Sequence, residues 1–263
     1  MGKLELQDLT FQYPGAPTPT LDHLNLSVEE GEFVCILGAS GCGKSTLLSI
    51  LEGLRQPSSG RFLIDGQEVT GPGPERGVVF QHYSLFPWMT AKENVIFGIR
   101  QVQKKWKKKQ LEEVAQSYLE KVGLAGNENA LPAQLSGGMQ QRVAIARALA
   151  MNADILLLDE PFGAVDTKNR RTLQKLVCDL HEIEKKTFLF VTHDVEEAIL
   201  LADRIVFMIP GRIYQVVDVD IPKPREYELI RNDETFVRLR KMLIDLFYEK
   251  YPDYSLDSTE AQL

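Results

Sequence analysis

The sequence predicts an α/β fold in which a largely parallel sheet is covered by helices on both faces. Apolar runs alternate with segments of helical spacing along much of the chain, the pattern of a parallel sheet buried on both sides. A short, alternating and turn-rich start predicts an added antiparallel β layer. Strand-like runs are absent between about residues 84 and 150, and an amphipathic segment lies near the end. We therefore also expect a helical insert and a carboxyl-terminal helical extension.

Composition and charge limit the classes of function. The 263 residues are 44% hydrophobic and 25% charged, which is typical of a globular protein and excludes disordered and collagen-like chains. The net charge of -7 argues against a protein that coats nucleic acid, so we expect no nucleic-acid partner. Cys35, Cys42 and Cys178 lack the spacing of a disulfide framework or a zinc site, which favours a reducing compartment.

The amino-terminal part predicts a hairpin and then a strand, a loop and a helix. Residues 4–13 and 20–28 alternate in polarity and flank a Pro-Gly-Ala-Pro turn. Residues 33–37 are continuously apolar, and residues 44–54 have helical spacing. Further strands are predicted at 62–64, 77–80, 155–158, 188–191 and 205–208.

Helical spacing and amphipathicity divide the rest of the chain. Residues 111–122 and 136–150 predict helices inside the insert, and residues 234–250 predict one in the extension. We assign residues 1–222 to one domain, with the insert at about 84–150, and residues 223–263 to the extension.

The most apolar stretch, residues 198–209, is shorter than the roughly 20 residues that span a bilayer, so we expect membrane contact from the side only.

A glycine-rich segment carries the clearest chemical signal. Residues 38–45, Gly-Ala-Ser-Gly-Cys-Gly-Lys-Ser, match the P-loop pattern between a predicted strand and a predicted helix. Glycines let backbone N–H groups face an anion, while Lys44 offers a charge to the β- and γ-phosphates and Ser45 a hydroxyl to Mg²⁺. The alternative is an ordinary glycine-rich turn. The residues expected to bind the nucleotide are Gly38, Ser40, Gly41, Cys42, Gly43, Lys44, Ser45 and Thr46.

Two carboxylates end a buried strand at residues 155–160, Ile-Leu-Leu-Leu-Asp-Glu. Ligands of open α/β sheets bind at the carboxyl ends of the strands. Asp159 therefore suits the Mg²⁺ shell, and Glu160 suits orientation or deprotonation of the water that attacks the γ-phosphate. The alternative is that this pair only caps the following turn.

A second phosphate-binding turn is predicted at the start of the helix at 136–150. Ser136 is a predicted N-cap, and Gly137 and Gly138 leave bare backbone N–H groups at the positive helix end. Because the P-loop already surrounds the nucleotide of its own chain, we expect this turn to face a nucleotide held by another copy.

In this order, these motifs resemble the nucleotide-binding subunit of an ABC transporter over residues 1 to about 220. The resemblance implies a P-loop NTPase core that binds and hydrolyses ATP with Mg²⁺. It further implies that Tyr13 stacks on adenine and that Gln81 links Mg²⁺ and the water to the helical insert, while Ser45 and Asp159 complete the metal ligands. Asp166 matches the loop that contacts the partner chain, and His193 matches the switch that senses the γ-phosphate. Taken singly, these residues also fit a strand aromatic, turn residues and a buried histidine.

The resemblance also implies an assembly. Two copies close head-to-tail around two MgATP at the cytoplasmic face of the cell membrane. They dock on transmembrane permease subunits and serve, indirectly, an extracytoplasmic solute-binding protein. Residues 71–77 and 86–88 resemble importer subunits for nitrate, sulfonate and taurine.

Other interpretations remain open at this point. A soluble ABC ATPase acting on ribosomes or DNA is the main alternative, although such relatives usually carry two cassettes or a long coiled coil. A P-loop kinase leaves the turn at 136–138 unexplained. The lysine-rich run at 104–109 fits either lipid headgroups or a solvated helix face, and the aromatic residues at 86–89 fit either a permease groove or packing inside the insert.

Overall fold

Two sheets organise the chain in the computed structural model, which describes residues 2–163 and 165–251. The strands are β1 Leu4–Phe11, β2 Leu21–Val28, β3 Phe33–Leu37, β4 Ser59–Ile64, β5 Gln67–Glu68, β6 Arg76–Val79, β7 Ile155–Asp159, β8 Thr187–Thr192, β9 Arg204–Ile209 and β10 Arg212–Asp218. The α-helices are α1 Lys44–Leu51, α2 Ala91–Val102, α3 Lys108–Lys121, α4 Gly137–Ala150, α5 Thr167–Glu184, α6 Val195–Leu201, α7 Tyr227–Ile230 and α8 Glu234–Lys250. The α/β prediction is confirmed.

The larger sheet has the strand order β10-β9-β3-β8-β7-β6, and all neighbours are parallel except β10 and β9. The register pairs Leu37 with Thr192, and Asp159 with Val191. The carboxyl ends of β3, β7 and β8 therefore meet at one edge of the sheet. All six strands predicted after the hairpin are present. The edge strand β10 was not predicted because most of its residues are exposed and form no apolar run.

The smaller sheet, of order β2-β1-β4-β5, is the predicted antiparallel layer. Apolar side chains from β1, β2 and β4 share one core with α1 and with one face of the parallel sheet. Successive residues of β3 alternate between the two cores: Val34 and Ile36 belong to this one, and Phe33 and Leu37 to the other. Both faces of β3 are therefore buried, which explains its continuous apolar sequence.

The helices α2, α3 and α4 form the insert. They pack on one another, and α4 also packs on β6 of the parallel sheet. Buried Asn94 in α2 fixes the entrance to the insert. Its side chain accepts a hydrogen bond from Phe86 N–H at 2.8 Å and donates to the carbonyls of Met89 and Thr90 at 3.0 Å. The lysine-rich run lies in the loop before α3 and in its first turn, where Lys108 and Lys109 pair with acids one turn later.

The segment after residue 222 packs closely on α6. Phe236, Leu239, Leu243 and Phe247 of α8 are buried in the same core as the insert-facing side of the parallel sheet. Arg225 is 4% exposed, and its guanidinium donates to carbonyls at the end of α6 and after β10. The domain boundary at residue 222 stays a prediction, and residues 252–263 of the extension lie outside the described residues. No described helix is both long and apolar enough to cross a membrane.

Candidate functional site

The loop after β3 needs its glycines for space and for backbone conformation. A Cβ at Gly38 would stand 2.8 Å from the carbonyl oxygen of Met208. Gly43 has φ +113° at the N-cap of α1, and a Cβ there would stand 2.8 Å from a methyl of Leu21. Both positions therefore exclude a side chain, by contact at the first and by contact and dihedral angle at the second. The sequence folds here into the tight strand-to-helix turn that the motif predicts.

Lys44 is 5% exposed, and the loop itself holds its ammonium group. It donates to the carbonyls of Gly38 at 2.6 Å and Ala39 at 3.0 Å. Ser40, Gly41 and Ser45 are exposed, whereas Cys42, Gly43 and Thr46 are buried. The first N–H groups of α1 have no acceptor within the helix. Together with the ammonium of Lys44, they make the start of α1 a site for a negatively charged group.

Tyr13 lies directly beside this turn. Its hydroxyl is 3.2 Å from the Thr46 hydroxyl, which fixes the ring next to the first turn of α1. The guanidinium of Arg55 lies 4.8 Å from the ring centroid, and the ring of Phe11 contacts Tyr13 edge-on at 4.9 Å. An aromatic surface thus adjoins the phosphate-binding turn. Sequence reasoning missed Arg55, because nothing in its spacing indicates that it meets Tyr13.

The acidic pair at the end of β7 faces the same edge of the sheet. Glu160 has φ +39°, a left-handed conformation that is costly for a residue with a side chain. Its N–H donates to the carbonyl of Val191 at 3.0 Å. Its carboxylate lies 3.2 Å from Nδ1 of His193, which follows β8. The neighbouring strands therefore bring together Glu160 and His193, which are 33 positions apart in sequence.

The charged side chains at this edge of the sheet shift one another's pKa values. The hydrogen bond from His193 lowers the pKa of Glu160, and the same bond raises the pKa of His193. Burial and the charge of Glu160 raise the pKa of Asp159, while Lys44 opposes that rise. When its imidazole is protonated, His193 forms an ion pair with Glu160, and Lys44 acts electrostatically on both carboxylates.

Gln81 lies next to the acidic turn. A Cβ on Gly163 would stand 3.1 Å from Nε2 of Gln81, so the amide packs against the backbone that follows Glu160. The loop that carries Gln81 is tied to α4, because Arg147 donates to the carbonyl of Ser84 at 2.7 Å. Sequence reasoning missed Arg147, whose position inside a helix gives no sign of this contact.

The predicted Mg²⁺ ligands have suitable chemistry. Ser45, Gln81 and Asp159 offer a hydroxyl, an amide carbonyl and a carboxylate, the oxygen donors that Mg²⁺ prefers. Within the described residues there is no group of three or more His, Cys, Asp or Glu side chains that would hold another type of metal. The residues present therefore fit Mg²⁺ brought in with a nucleotide.

The second glycine turn packs against the start of α5. Ser136 caps α4 by accepting a hydrogen bond from Met139 N–H at 3.3 Å. A Cβ on Gly138 would stand 3.5 Å from Cβ of Asn169, and Asn169 N–H donates to the carboxylate of Asp166 at 3.1 Å. The structure therefore brings the turn at 136–138 next to the segment that begins at Asp166.

Comparison with known proteins finds a matching family model and several similar proteins. The family model described as ABC transporter matches residues 21–163, just over half of the chain. An uncharacterized ABC transporter ATP-binding protein of Methanocaldococcus jannaschii is 46% identical over 252 residues, covering 94% of this chain and 92% of the relative. The nitrate import ATP-binding protein NrtD of Synechococcus elongatus is 42% identical over 245 residues, covering 92% and 89%. The bicarbonate transport ATP-binding protein CmpD of that species is 42% identical over 244 residues, covering 92% and 88%.

Solved structures show the same fold. A dimeric ATP-binding cassette, MJ0796, in a post-hydrolysis state with ADP and Pi, has a TM-score of 0.73 and 34% identity, covering 83% of this chain and all of that one. The protein cbiO1 of Clostridium perfringens, part of the ABC transporter complex cbiONQ, has a TM-score of 0.76 and 26% identity, covering 96% of each chain.

We predict that the Glu160→Gln substitution returns the raised pKa of His193 toward its ordinary value, because an amide carries no charge to stabilise the imidazolium. An NMR titration of the histidine ring protons measures this, with His193→Ala used to assign the signal. A group whose pKa is raised by folding stabilises the fold below its unfolded pKa, and this stabilisation is lost as pH rises through the folded pKa.

The substitution should therefore lower the free energy of unfolding more near pH 6 than near pH 9, by about 0.5 kcal/mol for this half-exposed pair. Denaturant unfolding at the two pH values tests the sign. An equal loss at both would contradict the ion pair.

Proposed function

The chain belongs to the ABC transporter family, and from this we propose that it is the ATP-hydrolysing subunit of an importer for a small anion such as nitrate or bicarbonate. The observation that carries the proposal is the shared sheet edge, where the phosphate-binding turn with Lys44 adjoins Asp159, Glu160 and His193. The importer proposal is supported by the relatives that are named for nitrate import and bicarbonate transport. The sulfonate and taurine cargoes stay predictions.

The described contacts support a division of binding roles. Lys44 and the first N–H groups of α1 would bind the β- and γ-phosphates, and Tyr13 would stack on the base beside them. Ser45, Asp159 and Gln81 would hold Mg²⁺, which supplies charge neutralisation at the β- and γ-phosphates. Since the carbonyls of Gly38 and Ala39 already bind the ammonium of Lys44, the loop is curved before a nucleotide binds.

Glu160 and His193 would then exchange partners. In the described structure the imidazole of His193 binds the carboxylate of Glu160. A γ-phosphate bound near Lys44 would compete with Glu160 for the imidazolium of His193. Once His193 binds the phosphate, Glu160 is free to orient and deprotonate the attacking water. The left-handed backbone of Glu160 is consistent with a side chain held for a task rather than for packing.

A second copy would complete the site. The turn at 136–138 presents N–H groups at the start of α4 and lies beside Asp166. Two chains in head-to-tail contact would place this turn against the γ-phosphate on the other chain's P-loop. The dimeric MJ0796 cassette with ADP and Pi supports such an assembly.

The transmembrane partner would dock on an exposed aromatic patch of Phe86, Trp88 and Phe97. The ring of Phe86 lies 4.5 Å from that of Phe97 and 5.6 Å from that of Trp88, and Trp88 is 70% exposed. Such a cluster is unusual on a free surface and typical of an interface. The subunit would thus act at the cytoplasmic face of the membrane, with an extracytoplasmic solute-binding protein as an indirect partner.

The soluble alternative, an ABC ATPase acting on ribosomes or DNA, is less favoured. The relatives at 42% identity are named for solute transport, and the chain has a net charge of -7. Nucleic acid would require a basic surface.

We predict that Glu160→Gln retains ATP binding and slows hydrolysis by about 100-fold or more, because the amide cannot accept the proton of water. Unhydrolysed MgATP should then hold two chains together, which size-exclusion chromatography with MgATP detects. Lys44→Ala is the control, since it should bind no ATP and stay monomeric. Continued hydrolysis by Glu160→Gln without dimer formation would contradict the role of Glu160.

We predict that a mixture of two inactive proteins, Gly137→Asp and Lys44→Ala, recovers part of the hydrolysis rate. Each mixed dimer has one site with both defects and one with neither, provided that the two sites are composite. Asp at 137 blocks close approach and repels phosphate, but leaves the P-loop of its own chain intact. Steady-state ATPase rates at several mixing ratios measure recovery. A Gly137→Asp protein that hydrolyses ATP normally alone would contradict the composite site.

We predict that Trp88→Ala weakens co-purification with the membrane permease partner by about tenfold in recovered complex, because it removes the most exposed side chain of the patch. ATP binding by the isolated chain should not change. Trp106→Ala, at the other tryptophan of the chain, is the matched control. Equal loss with both variants, or no loss with Trp88→Ala, would contradict docking at the patch.

A further inference from the structure

A buried carboxylate anchors the corner that carries His193. Glu197 is 5% exposed and lies in the first turn of α6. Its Oε2 accepts a hydrogen bond from the hydroxyl of Thr192 at 2.9 Å. Its backbone N–H donates to the carboxylate of Asp194 at 2.9 Å, and Asp194 N–H donates back to the Thr192 hydroxyl at 3.0 Å. Both chain neighbours of His193 are therefore bound to Glu197.

The other oxygen of the same carboxylate reaches α5. Gln174, which is 1% exposed, donates from Nε2 to Oε1 of Glu197 at 3.1 Å. Arg170 lies between the acids, with Nη1 3.8 Å from Asp194 and Nε 4.0 Å from Glu197. Arg170 is one turn beyond Asp166, and its N–H donates to the Asp166 carbonyl at 2.9 Å. One side chain thus joins α5, at Gln174, to the His193 corner.

We propose that Glu197 is a positioning residue that couples α5, and with it Asp166, to His193, so that the partner-facing segment and the phosphate switch move as one unit. The proposal rests on the roles given above to Asp166 and His193. Glu197 itself touches neither phosphate nor water. Its carboxylate acts through Thr192 on one side and through Gln174 on the other.

The cost of this carboxylate supports a role beyond packing. Burial and the nearby charge of Asp194 raise the pKa of Glu197, while Thr192, Arg170 and Gln174 oppose the rise. A buried acid of this kind is expensive, and an apolar side chain of similar volume would often be as stable at a helix contact. The hydrogen bonds fix an orientation that an apolar contact would leave free.

The test compares four variants by steady-state ATPase kinetics. Glu197→Ala should lower kcat by about tenfold and change KM for ATP by less than about twofold, since it loosens the switch but not the P-loop. Gln174→Glu places a second carboxylate next to that of Glu197. Because the two repel each other, this variant should also lower kcat by about tenfold. The double variant Glu197→Gln with Gln174→Glu rebuilds an acid-amide pair in reverse and should recover kcat to within about threefold of the original.

The matched control is Glu196→Gln. Glu196 precedes Glu197 on α6 but pairs instead with Arg171 and Arg240, so kcat should not change. A spectroscopic readout separates positioning from stability. The charge of Glu197 itself raises the pKa of His193, so Glu197→Gln is the charge-matched reference. Glu197→Ala should bring the pKa of His193 closer to the ordinary histidine value than Glu197→Gln does in NMR titrations, because its bond to Glu160 loosens.

The outcomes are distinct. Loss of kcat in Gln174→Glu, rescue in the double variant and a His193 pKa that is lower in Glu197→Ala than in Glu197→Gln support the coupling. An unchanged kcat in Glu197→Ala, equal His193 pKa values in Glu197→Ala and Glu197→Gln, or a double variant no better than Gln174→Glu, overturns it. If the unsubstituted chain hydrolyses no ATP, the proposed function fails, while the NMR titration, which needs no nucleotide, still decides whether Glu197 positions His193.

Discussion

The register of three parallel strands is the constraint on which the site depends. Leu37 of β3 pairs with Thr192 of β8, and Asp159 of β7 pairs with Val191 beside it. This alignment brings a positive turn, two carboxylates and an imidazole to one edge, although they come from distant parts of the sequence. Close packing in the two cores stabilises it, because a shift of one residue would move each buried side chain into the other core, which is packed around different neighbours.

Local signals were enough to predict most of this edge. The P-loop, the acidic strand end and the second glycine turn are contiguous motifs, each read with the strand or helix beside it, and the predicted strands and the hairpin are present in the structure. Edge strand β10 escaped prediction because its exposed residues pair only through the backbone. Because its side chains are mostly exposed, the strand lacks both the apolar run of the parallel strands and the alternation of the hairpin.

Contacts between distant side chains were beyond sequence reasoning for a different reason. Gln174 and Glu197 are 23 positions apart, and their bond exists only because α5 and α6 pack side by side. The same holds for Arg55 over the ring of Tyr13. Neither pair has a periodicity or a motif, and each polar group alone resembles an ordinary surface residue. The residues proposed to carry the chemistry can thus be predicted from contiguous motifs, whereas the residues that contact and orient them become visible only in the packed structure.

The geometry of α4 has a mechanical consequence. The helix begins at the glycine turn and ends just before β7, and near its end Arg147 binds the loop of Gln81. Its 14 residues give a rod of about 20 Å. If the end near Arg147 serves as a pivot, a tilt of about 10° displaces the glycine turn by about 3 to 4 Å, more than the length of a hydrogen bond. Under the proposed assembly, such a displacement of the glycine turn, started at the aromatic patch of Phe86, Trp88 and Phe97, would be large enough to make or break its contact with a second chain.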